Sequence, residues 1–165
     1  MSLLQQDFQR WCQIKGINDS FMSFARLFLI YPEFRTIVYF RWKQKGWLGK
    51  VAGRVLNIFL RAQTNCYVYT PSIGGGLYIQ HGFATIITAQ SIGENVWINQ
   101  QVTIGHKGEK SPIIGNNVRI ACGAKVLGDV RIGNNVVIGA NAVVVKDVPD
   151  NCVVGGVPSQ ILKKL

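Results

Sequence analysis

Two histidines carry most of the acid–base chemistry available to this chain. His81 lies in "GGGLYIQHGFATI", residues 74–86, and His106 lies in "TIGHKG". An imidazole is the common side chain for taking a hydroxyl proton near neutral pH while the oxygen attacks an electrophile. Taken alone, a histidine in such a stretch reads first as a surface residue at a turn. The four cysteines, Cys12, Cys66, Cys122 and Cys152, stand far apart. No C-x-x-C pair or Cys/His ligand spacing appears, so neither a zinc site nor a disulfide framework is expected, and no metal is required. Nothing close in sequence would activate Cys122 as a nucleophile.

The elements that must position these residues follow from a period. From residue 92 the chain runs IGENVW, INQQVT, IGHKGEKSPI, IGNNVR, IACGAK, VLGDVR, IGNNVV, IGANAV, VVKDVP. Ile or Val opens every unit, at 92, 98, 104, 114, 120, 126, 132, 138 and 144, and each regular unit has Val or Ala fifth. The spacing from 104 to 114 is six plus an insertion of four. A fixed short period is the mark of a repeat architecture. Six residues are too few for a helix pair but suit one short strand and one turn, with Gly, Asn and Asp in the turns. Three units make a triangular coil, and stacked coils bury a column of Ile and Val along the axis. A parallel β-helix over residues 66–165 is therefore expected, with residues 1–65 as a separate α-helical region. Periodicity does not reveal the hand, and the general rule for parallel crossovers is right-handed.

In the first region, Asp19 or Ser20 suits the cap of a helix with Phe21, Phe24, Phe28 and Leu29 on its apolar face. Pro32 starts or interrupts a segment, and "EFRTIVYFRWKQKG" reads as a second helix with Gly46 as its C-cap. "LGKVAGRVLNIFLRAQ" sets Val51, Val55, Ile58 and Phe59 on one face. Basic, aromatic helices of this kind suit a membrane surface. Because Arg and Lys are spread around them, their apolar faces are expected to pack on the rest of the protein.

Bulk composition bounds the function. The chain has 165 residues, is 48% hydrophobic and 16% charged, and carries a formal charge of +10. Residues 1–65 hold ten Lys/Arg against three Asp/Glu, and residues 66–165 eight against five. That balance suits an anionic partner or simply a soluble basic surface. No recognisable basic-aromatic motif points to nucleic acid. The most apolar stretch, "FMSFARLFLIYPEFRTIVYF", is broken by Arg26, Pro32, Glu33 and Arg35, so no membrane span is expected. With no signal-peptide pattern at the N-terminus, the expected compartment is the cytoplasm.

The repeats, together with "GGGLYIQHG", "VTIGHKG", "IACGAKVLG", "IGANAVV" and the closing "VVGGVPSQIL", resemble the hexapeptide acyltransferases. Within them, the pattern is similar to serine O-acetyltransferases and their relatives in polysaccharide gene clusters. "ND…YPEF…YFRWKQKG" resembles the helical segment before that family's coils. The resemblance implies a left-handed β-helix over residues 73–160, a homotrimer that can pair into a dimer of trimers, and acetyl-CoA as cosubstrate. It implies His81 as the base, at a corner facing a neighbouring subunit. Gly105, Cys122 and Ala140 match small residues lining the CoA groove at equivalent corners of successive coils. His106 stands where the family has a glycine whose backbone N–H faces the thioester. Lys125, Lys146, Lys163 and Lys164 are candidates to meet the phosphates, or are simply solvated.

The departures fall on the acceptor side. The family's orienting Asp, fifteen residues before the base, is Cys66 here, so another carboxylate or a backbone carbonyl must fix the imidazole. The acidic residue that meets the acceptor's ammonium is Gln80. The Arg-His pair that handles the acceptor's carboxylate is Lys110 and Ser111. One family Asp survives as Asp19. The resemblance thus implies an O-acetyltransferase acting on L-serine by family, with a sugar hydroxyl on a polysaccharide precursor as the rival acceptor. A β-helix scaffold without activity is the alternative class.

Overall fold

The computed structural model describes residues 1–165. Four helices come first: α1 (Leu3–Lys15), α2 (Phe21–Ile30), α3 (Pro32–Gln44) and α4 (Trp47–Phe59). Ser2 caps α1 by accepting from Gln5 N, and Ser20 caps α2 by accepting from Ser23 N. Pro32 opens α3 at the first turn, where its missing N–H costs nothing. Gly46 is not the C-cap of α3. Lys45 is, and Gly46, at φ 98°, reverses the chain into α4.

The inner face of α2 is Phe24, Leu27 and Phe28, while Phe21 and Leu29 point to solvent. In α4 the expectation fails more fully, because Val51, Val55, Ile58 and Phe59 are all exposed. α4 approaches α3 through its glycines instead. A Cβ on Gly49 would lie 2.1 Å from the Trp42 carbonyl oxygen, and one on Gly53 would lie 3.8 Å from the Tyr39 ring. Close backbone approach through small residues turns the bulky side of the helix outward.

The rest is a left-handed parallel β-helix of three sheets. One holds β1 (Cys66–Val68), β3 (Thr85–Ile87), β6 (Thr103–Gly105), β9 (Lys125–Leu127) and β12 (Val143–Val144). A second holds β4 (Ser91–Ile92), β7 (Ile113–Ile114) and β10 (Arg131–Ile132). The third holds β2 (Tyr78–Ile79), β5 (Trp97–Ile98), β8 (Arg119–Ile120), β11 (Val137–Ile138) and β13 (Cys152–Gly155), and β14 (Gln160–Lys164) returns antiparallel on β13. Every unit-opening Ile or Val is buried, as is every Val or Ala at the fifth position. At one corner Asn95, Asn117, Asn135 and Asn151 all hold φ between 55° and 58°, a region asparagine tolerates. Their amides form a ladder, with Asn117 Nδ2 donating to Asn135 Oδ1 at 3.0 Å and Asn135 Nδ2 to Asn151 Oδ1 at 2.8 Å.

Helices and coils are joined by a buried ion pair. Arg41 on α3 donates to Asp7 on α1 from Nε (2.8 Å) and Nη2 (3.1 Å), and also to the carbonyls of Ile73 and Gly74. Asp7 accepts in addition from Leu77 N at 2.9 Å. Burial pushes the Asp7 carboxyl up from its ordinary range, against the pull of the Arg41 guanidinium. Around the pair, Trp11, Phe34, Ile37 and Val38 are buried in one core with Leu77 and Tyr78, each large side chain contributing about 1.5–3 kcal/mol. No helix is long and apolar enough to cross a membrane.

Candidate active site

His81 sits where the coil is longest at its corner. Ile79, Ile98, Ile120 and Ile138 are in register, and so are Ile86, Thr103, Lys125 and Val143 on the next sheet. From 79 to 86 is seven steps, against five from 98 to 103, 120 to 125 and 138 to 143. Two extra residues therefore bulge at this corner. His81 stands exposed on the bulge at φ 60°, a conformation shared by corner asparagines and so a demand of the turn more than a strain peculiar to His81. Gly82 beside it has no room for a side chain, since a Cβ would lie 2.8 Å from Ile79 Cγ2 and 3.4 Å from Cys66 Sγ.

Two residues past the aligned isoleucines come His81, Gln100, Cys122 and Ala140, so these four stack down one corner. Cys122 and Ala140 fall there as expected. Gly105 does not. It pairs with Leu127 on a different sheet and leads into the loop 106–112 at the next corner. The six-residue spacing hides this, because three successive units occupy three different faces. His106, Lys110 and Ser111 belong to that other corner, with Lys110 Nζ paired to Asp129. Within the chain the loop and His81 are thus not brought together. Asp19 lies elsewhere again, in a cleft with Gln9, which donates to it at 3.3 Å, and Cys12.

A small hollow of about 50 Å³ opens against His81, walled by Trp11 and Lys15 of α1, Tyr31 and Glu33 around the start of α3, and Tyr78 and Gln80 of the coil. Trp11 donates from Nε1 to the Leu77 carbonyl at 3.2 Å and packs on the Tyr78 ring at 4.6 Å. Lys15 Nζ rides 4.3 Å above the Tyr31 ring. Glu33 is the sole acid in this wall. Cys66 beneath it is no substitute for a carboxylate: burial, then the Glu33 charge, pushes its thiol up to about 12, leaving it neutral at physiological pH. Gln80 is committed. Its Oε1 accepts from Trp97 Nε1 at 3.2 Å and Asn99 Nδ2 at 3.1 Å. An indole N–H can only donate, so the amide orientation is settled and its NH₂ end is the free one. Asn99 Oδ1 and Gln100 Oε1, buried at the same corner, have no hydrogen-bond partner.

Residues 111–146 match the bacterial transferase hexapeptide model (six repeats). Over that stretch the chain carries the repeat of the bacterial hexapeptide transferases. It is similar to the serine acetyltransferase of Synechococcus elongatus, 37% identical over 144 residues, which is 81% of this chain and 58% of that protein. Its fold is similar to that of the Neisseria gonorrhoeae serine acetyltransferase solved in complex with serine (TM-score 0.73, 27% identity, 98% of this chain and 68% of that one). It is similar also to a serine acetyltransferase solved in complex with CoA (TM-score 0.72, 25% identity, 97% and 68%). The chain spans less than two thirds of the length of the curated relatives it matches.

A corner of this form can do acid–base chemistry on a small polar molecule. An exposed imidazole faces a hollow with one cation, one carboxylate and aromatic walls. Sequence reasoning missed Trp11, Lys15, Tyr31 and Glu33, because helix residues distant in sequence meet His81 only after the Asp7–Arg41 seam has docked the helices. One signal did exist for Glu33, which is one of just three acids before residue 94.

Proposed function

We propose that the chain is an acetyl-CoA-dependent O-acetyltransferase in which His81 takes the proton of the acceptor hydroxyl. The observation that carries the reading is the two-residue bulge that sets His81 at the mouth of the hollow, above the column of Cys122 and Ala140. Beyond Gln100, the small side chains of Cys122 and Ala140 leave room along the corner for a pantetheine arm, and acetyl-CoA supplies the acyl group. Backbone N–H groups of the loop at Gly105 and His106 are candidates to stabilise the oxyanion. Loop and base lie at different corners of one prism, so the reading includes a homotrimer in which the loop of one copy meets His81 of the next. Glu33 is assigned as the positioning residue for the imidazole, in place of the neutral Cys66.

L-serine is the acceptor the family favours. A sugar hydroxyl is the second reading, and two observations favour it. Gln80 presents an amide donor where an ammonium would need an acceptor, and Lys15 puts a cation beside aromatic walls. The test is CoA release from acetyl-CoA against L-serine, other amino acids and nucleotide sugars. Turnover with one of these is expected, and His81→Ala should lower it by about 10²–10⁴-fold with the assembly intact. A rate within a few-fold of wild type would remove His81 from the role. Glu33→Gln is expected to lower kcat more than KM and to move the pH profile, which a purely structural role would not do.

A further inference from the structure

We propose that α4 is a docking surface for an anionic phospholipid bilayer, on which the helix lies flat. Three observations point there. The first is the inverted packing of α4. Gly49 and Gly53 face α3 while Trp47 (71% exposed), Ile58 (69%) and Phe59 (78%) point outward together with Leu48, Val51 and Val55. Trp47, Val51, Val55 and Ile58 recur at helical spacing and so form one continuous stripe. Apolar side chains in a row are ordinarily covered by something, and no part of this chain covers these.

The second observation is charge. From residue 34 to residue 93 there is no Asp or Glu, and the stretch holds seven Lys/Arg. Of these, Arg41 alone has an ionic partner, Asp7. The third is a cleft of about 320 Å³ between α3 and α4, where Lys43, Lys50 and Arg54 converge over Tyr39, Phe40 and Gly53. Unpartnered cations beside an apolar stripe match the two layers of a membrane interface, the headgroup phosphates and the upper acyl chains. A second copy of the chain fits the same surface poorly. A two-fold contact centred on α4 would bring the basic flanks of both copies together, with no acid between residues 34 and 93 to separate them.

The experiment is flotation of the full chain with vesicles of phosphatidylcholine alone and of phosphatidylcholine with phosphatidylglycerol. Binding to the anionic vesicles is expected, at least about ten-fold stronger than to the neutral ones and weakened by salt. The double variant Val51→Asp, Ile58→Asp should lower it about ten-fold or more, and Lys50→Glu, Arg54→Glu should remove the preference for anionic lipid. All four side chains are exposed, so unchanged circular dichroism and melting are expected and checkable. Absence of wild-type binding to either vesicle, or equal binding by the double variant, would overturn the proposal. So would a wild type that ignores vesicles while the double variant halves the mass of the assembly, which would assign the face to a second copy. The readout is independent of acetyl transfer, so its failure and the failure of the enzymatic reading are separable.

Discussion

In the coils, each Ile or Val that opens a six-residue unit points at the axis; in α4, residues of the same kinds point at solvent. The difference lies in what closes each element. A triangular coil is closed on itself, with its strands stacked on those of the neighbouring coils, so an inward position has only the axis to face. A helix has no such closure. Its side chains become interior or exterior according to which neighbour docks and at what distance. On α4 the neighbour docks against glycines. An apolar pattern in a solenoid therefore states where the core is, whereas an apolar face on a helix states only that something must cover it.

The comparison is broken most severely at the seam. Asp7→Ala leaves Arg41 buried without its anion and should cost about 3–5 kcal/mol in a denaturant titration, with the helices released from the first coil. Next comes the coil axis, where Ile120→Ala should cost about 2–4 kcal/mol because the stacked coils cannot collapse into the cavity. At the corner, Asn135→Ala should cost about 1–2 kcal/mol, combining a left-handed backbone with a broken amide ladder. Asn135→Gly should recover the backbone part of that loss, and comparing the two melting points separates it from the ladder. Ile58→Ala should change stability by no more than about 0.5 kcal/mol, since the residue is 69% exposed and lies outside the core. A loss at Ile58 as large as that at Ile120 would mean that the stripe on α4 is core after all.

The same contrast explains what could be read in advance at the candidate site. Cys122 and Ala140 lie on regular coils, where counting residues gives position, and their stacking follows from a spacing of eighteen, whereas two extra residues at the His81 corner break the count. Gly105 falls outside their column, because a repeat of six does not say which of three faces a unit occupies; only the strand pairing does. Glu33, Lys15 and Trp11 reach the hollow from helices, and nothing local in their sequence aims them at residue 81.

The sequence by itself determined the coils: period, axis column, turn residues and the insertion after Ile104. Each of these is a local choice repeated with a fixed step, and stacking adds nothing that the step does not already contain. The tertiary structure alone decided which faces the units occupy, that His81 sits on a bulge of two residues, that Glu33 is the acid beside it, and that α4 turns its apolar stripe outward. The first two depend on strand pairing between coils and the last two on how the helices dock, through Asp7 with Arg41 and through Gly49 against Trp42, and no local apolar pattern states either.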